Sequence, residues 1–203
     1  MGSKTTMPKL YAEDMIKRYF DPKHLRPSGR LQFFFHSPSS DLPVRDVCNE
    51  QGSGYKTEPH LEQNAENYLK ECYQRANIQG VLKNREKYLL LFTTCKSRSA
   101  HMQRHFGERY IVGYIRADRF IARQGFIAIQ GRTKVVSFDE AYSLEKLDPS
   151  ASNRHIRLRR LSEKEVKDVL GYLRLAPNIK GRCIREIERL KTSCAETRQG
   201  KCK

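Results

Sequence analysis

The chain has 203 residues, of which 38% are hydrophobic, enough to bury a core without covalent staples. Lys and Arg number 39 against 23 Asp and Glu, a formal charge of +16, which points to an anionic partner. The longest apolar run is the five residues Tyr88 to Phe92, against the ~18 that a membrane-spanning helix needs, so a transmembrane role is excluded. In chain order, Pro8 to Phe20 reads as an amphipathic helix with Tyr11, Met15 and Tyr19 on one stripe, ended by Pro22. Pro27-Ser28-Gly29 reads as a turn and Leu31 to Phe35 as a buried strand. Residues 36–59, rich in Ser, Pro, Gly and Asp, read as a long mobile or partner-ordered loop, and Leu61 to Ala76 as a second helix.

From Tyr88 the hydrophobic period shortens. Tyr88 to Thr94 and Tyr110 to Ile115 are apolar on both faces, as in core strands. Phe126 to Gln130 and Thr133 to Phe138 flank Gly131-Arg132, the signature of a two-residue hairpin turn. Residues 139–147 form a short turn or helical excursion. His155 to Leu161 alternates, with Ile156 and Leu158 on one side and His155, Arg157 and Arg159 on the other. Ser162 and Glu165 make a capping box ahead of Val166, Val169, Leu170 and Leu173. After Pro177, a further helix carries Cys183, Ile184, Ile187 and Leu190 on its apolar stripe, and the last ten residues read as a basic tail.

The fold expected is α+β: a small, mostly antiparallel β-barrel or curled sheet flanked by N- and C-terminal helices. Its core domain spans 1–161, strand-rich over 85–161. A helical pair follows over 162–194, then the tail over 195–203.

The charge is uneven. Residues 1–84 carry net +2, residues 85–138 +8, residues 139–150 −3 and residues 151–203 +9, so one part of the surface should draw polyanions. Arg outnumbers Lys in both basic segments, and its planar fork suits phosphate. On these grounds Lys96, Arg98, Arg104, Arg116, Arg119, Arg132, Arg157 and Arg159 are the expected phosphate contacts. Aromatic residues interleave with these cations. Tyr110, Tyr114 and Phe126 are the ones selected to line a base-stacking pocket.

Within Cys95 to His105, the histidines His101 and His105 stand four apart. On a helical turn they would face one side, where they could act as acid and base on a phosphodiester beside Arg. No Walker loop, dinucleotide fingerprint or nucleophile elbow occurs in the sequence. The six cysteines, Cys48, Cys72, Cys95, Cys183, Cys194 and Cys202, include no C-x-x-C pair. No zinc site, disulfide framework or cofactor is therefore expected. The first 30 residues lack an apolar signal core, so a reduced cytoplasmic or nuclear interior is expected. Met1-Gly2-Ser3-Lys4-Thr5-Thr6 fits the permissive myristoylation pattern at Gly2.

The string Tyr88-Leu-Leu-Leu-Phe-Thr-Thr-Cys-Lys, followed after a polar insertion by Arg109-Tyr-Ile-Val-Gly-Tyr-Ile-Arg, resembles the central strands of PUA-like barrels, the group that includes ASCH, EVE and YTH domains. The resemblance covers residues 85–138. It implies a barrel that binds RNA or modified bases, with Thr93, Thr94, Lys96 and Tyr114 at pocket-lining positions. The expected function is nucleic-acid binding, with RNA or another single strand favoured over a duplex. The alternatives are a metal-independent nuclease centred on His101 and His105, and a basic subunit for an acidic protein partner.

Overall fold

The computed structural model describes residues 9–48, 59, 61, 67–68, 80–123, 126–147 and 159–200. Its elements are helix α1 (Lys9–Tyr19), strands β1 (Arg26–Phe33), β2 (Asn67–Tyr68), β3 (Glu86–Thr94), β4 (Arg109–Arg123), β5 (Phe126–Val135), β6 (Tyr142–Ser143) and β7 (Arg160–Leu161), then helices α2 (Glu163–Leu175) and α3 (Lys180–Gly200). The fold is α+β. One seven-stranded sheet runs in the order β2-β5-β4-β3-β1-β7, with β6 pairing to β4. All pairs are antiparallel except β1 with β3, so the sheet is mixed. Among the described residues it does not close into a barrel, and β2 and β7 stand at its edges.

Local sequence explains the helix ends. Asp21 accepts from the Lys23 backbone N–H and opens the 3-10 turn Pro22–His24, which stops α1. The Ser162–Glu165 capping box is formed in full, and Val166, Val169 and Leu173 are buried below it. On α3, Cys183, Ile187 and Leu190 are buried. Asn178 ties the start of this helix to the sheet. Its Oδ1 accepts from the backbone N–H groups of Val135 and Lys180, and its amide donates to the Thr133 carbonyl. Helix α1 packs on β4, burying Met15 and setting Phe20 edge-on to Phe120 with ring centroids 4.9 Å apart.

Several expectations are corrected. Pro27-Ser28-Gly29 is strand, not turn. Gly29 lies opposite Tyr88, where a Cβ would come within 2.6 Å of the Tyr88 carbonyl oxygen, so glycine is what allows β1 to pair this closely. Gly131-Arg132 is likewise not a hairpin turn: β5 runs straight through it, and β4 and β5 pair as far as Arg123 and Phe126. Gly131 sits opposite a bulge at Ala117–Arg119, where a Cβ would strike the Arg116 carbonyl.

The helix expected over 61–76 is contradicted at Asn67–Tyr68, which pair with β5; its other residues, apart from buried Leu61, lie outside the described residues. Residues 36–48 of the long loop are packed down, with His36, Ser37, Ser40, Val44, Arg45, Asp46 and Val47 buried. The strand read at 155–161 is described only from 159 onward. Helix α3 continues to Gly200, through most of the segment read as tail. Cys48 and Cys194 are joined as a disulfide with Cα atoms 5.6 Å apart, against the expectation that the thiols stand alone. No described helix is long and apolar enough to cross a membrane.

Candidate nucleic-acid interface

Register decides which side chains share a face. On β3, β4 and β5, Tyr88 lies opposite Arg116, and Arg116 opposite Arg132. The next row places Tyr114 opposite Lys134. Directly paired residues point to the same side of a sheet, as do residues two apart on one strand. Tyr88, Tyr114, Arg116, Arg132 and Lys134 therefore occupy one face. The Tyr88 and Tyr114 rings meet edge to face at 5.9 Å.

The bulge brings in another arginine. Arg119 pairs with Gln130, two residues before Arg132, and its Nε donates to the Gln130 Oε1. Arg116 and Arg119 are three apart and would alternate to opposite faces of a regular strand. The extra residue, Asp118, puts them on the same one.

This face holds the cations Arg116, Arg119, Arg132 and Lys134, and the Asp118 carboxylate at the bulge reaches two of these residues. Asp118 accepts from Arg116 Nε at 3.0 Å and from the Arg132 backbone N–H at 3.1 Å. Arg132 and Arg119 are exposed, while Tyr88, Tyr114, Arg116 and Lys134 are half-buried. Lys134 Nζ donates to the Arg174 carbonyl near the end of α2, where a cation suits the helix dipole. Burial pushes the Tyr88 phenol above its usual range, with Arg116 opposing the shift.

The remaining expected phosphate contacts lie elsewhere. Lys96, Arg98 and Arg104 belong to the loop after β3 and the 3-10 turn Ala100–His105, at the other end of β4. Arg98 lies over the half-exposed Phe106 ring at 5.5 Å, and Arg104 is bonded to Asp139. Arg159 is paired with Glu165 at 2.6 Å. Arg157 lies outside the described residues, as does the side chain of Phe126. Thr93 is buried and donates to the Phe34 carbonyl, while Thr94 is half-buried. Sequence reasoning missed Tyr88, Gln130 and Lys134 as members of the face, and the signal that locates them is cross-strand pairing.

The two histidines separate. In a 3-10 turn, positions three apart align and positions four apart do not, so His101 is exposed while His105 is buried. His105 Nδ1 is 2.9 Å from the Tyr110 hydroxyl and Nε2 is 2.7 Å from Asp139 Oδ1. Hydrogen bonds from His105 and Arg104 hold the Asp139 carboxyl below its usual range. Arg104 Nε also donates toward His105 Nε2 at 3.1 Å, so Arg104 and Asp139 converge on the same ring nitrogen. Burial raises the Tyr110 phenol.

Nearby, His36 Nδ1 accepts from the Lys96 backbone N–H and Nε2 donates to the Leu42 carbonyl, each at 2.9 Å. Among the described residues no three His, Cys, Asp or Glu side chains gather as a metal-ligand set. Compared with protein-family models, curated proteins and solved structures, the chain matches none.

Proposed function

We propose that the chain binds single-stranded nucleic acid, RNA foremost, on the face of β3, β4 and β5 that carries Tyr88, Tyr114, Arg116, Arg119 and Arg132. The observation behind this reading is the in-register row Tyr88, Arg116, Arg132 across three adjacent strands. Neighbouring strands lie about 4.8 Å apart, so the row offers an aromatic ring and two guanidinium groups within about 10 Å, that of Arg116 held by Asp118 through Nε and Nη2 and that of Arg132 exposed. A neutral aromatic surface stacks with any base, and arginine forks donate to phosphate oxygens. Duplex reading would call for an element inserted in a groove, whereas a sheet face suits splayed bases. The PUA-like resemblance belongs to this proposal, with a curled sheet in the place of a closed barrel.

The test is fluorescence anisotropy with single-stranded RNA, single-stranded DNA, duplex DNA and polyphosphate over a salt series. Tighter binding of the single strands, lost together in Tyr88→Ala and Arg132→Ala, supports the reading. Equal binding of every polyanion, unaffected by Tyr88→Ala, overturns it.

A second reading, metal-independent cleavage of RNA, draws on one observation: His105 is held between Tyr110 and Asp139, the base-and-orienter arrangement of general-base sites. It would show as RNA cleavage abolished by His105→Ala with binding retained. His101 does not share the arrangement.

A further inference from the structure

Cys48 lies in the packed stretch 36–48 and Cys194 on α3, 146 positions apart in sequence. Between them this segment joins two parts of the molecule. Toward the basic loop, Asp41 Oδ1 accepts from Ser97 Oγ at 2.5 Å and from Ser99 Oγ at 2.7 Å, and His36 accepts from the Lys96 N–H. Toward α3, Arg189 reaches the Ser39 carbonyl at 3.4 Å and Glu186 bonds to Ser40. The disulfide adds a covalent link on that side.

We infer that Cys48 and Cys194 form a thiol–disulfide exchange site, opened by small thiols and closed by low-molecular-weight disulfides, whose closure pins residues 36–48 to α3. Both cysteines are half-buried and within reach of solvent, whereas Cys95 and Cys183 are fully buried. Burial drives the Cys183 thiol up to about 12 and raises Cys95, which leaves both protonated and poorly reactive. The Cα separation of 5.6 Å falls within the roughly 4.4–6.8 Å that a disulfide spans.

Closure proceeds in two exchanges. One cysteine thiolate attacks the small disulfide, forming a mixed disulfide and releasing one small thiolate. The second cysteine thiolate then attacks the protein sulfur of that mixed disulfide, forming the Cys48–Cys194 bond and releasing the other small thiolate. Two electrons pass to the small disulfide, and its two thiolates take up the two protons that the cysteines lost. Opening is the reverse.

This inference is independent of whether the sheet face binds nucleic acid. Its test equilibrates the full chain in reduced and in oxidised glutathione, then applies peptide mapping without reduction and hydrogen exchange. The expected result is a Cys48–Cys194 cross-linked peptide in the oxidised sample alone. Amides of residues 36–48 should exchange about tenfold faster or more in the reduced sample, with β3, β4 and β5 unchanged. Cys48→Ser and Cys194→Ser should show the fast pattern in both buffers, while Cys72→Ser and Cys202→Ser keep the cross-link. Pairing of Cys48 or Cys194 with another cysteine, a cross-link that persists in reduced glutathione, or exchange rates indifferent to redox state would each overturn it.

Discussion

Arg30 Nε donates to Glu86 Oε2 at 2.7 Å, and Glu86 is fully buried. Arg160 Nε lies 3.0 Å from the other carboxylate oxygen, so one buried carboxylate ties together β1, β3 and β7. Burial outweighs the two guanidinium groups, and the net direction for the Glu86 carboxyl is upward. Removing Glu86 leaves the Arg30 guanidinium, whose side chain is 15% exposed, without its carboxylate, while Arg160 turns to solvent; an uncompensated buried charge typically costs about 3–5 kcal/mol. Glu86→Ala should therefore lower unfolding stability by that order in a urea titration. A loss below about 1 kcal/mol would mean that the cluster is solvated.

Gly131 supports the candidate interface through its missing side chain. A Cβ there meets the Arg116 backbone carbonyl and comes within 2.9 Å of the Asp118 N, and backbone cannot swing aside as a flexible side chain can. Overpacking of this kind costs about 1–3 kcal/mol. Gly131→Ala should cost at least that and disturb the bulge that sets Arg119 beside Gln130. Thermal unfolding measures the stability loss, and a chemical-shift map centred on residues 116–119 would locate it. An unperturbed map would show that the bulge tolerates a side chain.

How much of this was readable beforehand depends on how local each cause is. The Ser162–Glu165 cap, the stop at Pro22 and the apolar stripes of α2 and α3 are set by residues within a few positions of each other, and they formed as expected. Gly131-Arg132 carries a turn signature as local as those. Yet glycine before a polar residue serves a bulge as well as a hairpin, and only the pairing with Ala117 tells them apart. Charge alone points to Arg116, Arg119 and Arg132. Their meeting on one face depends on Asp118 shifting the alternation, which no period-2 count contains. The same holds for Tyr88, whose cross-strand neighbours come from β4 and β5, and for Cys48 and Cys194, whose spacing carries no signal at all. The helix read near 61–76 failed at Asn67–Tyr68 because pairing with β5 overrides a helical pattern.

His36 gives the protein an acid sensitivity of known sign. Burial lowers its pKa from 6.5 to about 4, although Leu42, Asp41 and Asp46 pull upward; Lys96 adds to the lowering. The unfolded chain binds a proton below about 6.5 while the folded chain does not until about 4. Stability is therefore full above that window and is lost as pH falls through it. The linkage amounts to about 3 kcal/mol between pH 7 and pH 4. In an NMR titration the His36 ring protons should move with a midpoint near 4, and a midpoint near 6.5 would show the ring to be open to water. His36→Asn should flatten the stability profile over the same range.

The interface prediction separates charge from stacking. Arg132 is exposed, and its backbone N–H, bonded to Asp118, is unaffected by side-chain removal. Arg132→Ala should thus weaken binding to all single strands alike and reduce the salt slope by about 1, the signature of one lost phosphate contact. Tyr88→Leu keeps the apolar contact with Tyr114 and removes the aromatic surface. It should cost about 1–3 kcal/mol of affinity per stacked base with the salt slope unchanged. Fluorescence anisotropy of a short single-stranded RNA at three or more salt concentrations measures both quantities. If Tyr88→Leu changes the slope, or Arg132→Ala leaves it alone, the two side chains do not play the parts that their shared row on the sheet assigns them. The sheet face would then not be a nucleic-acid interface.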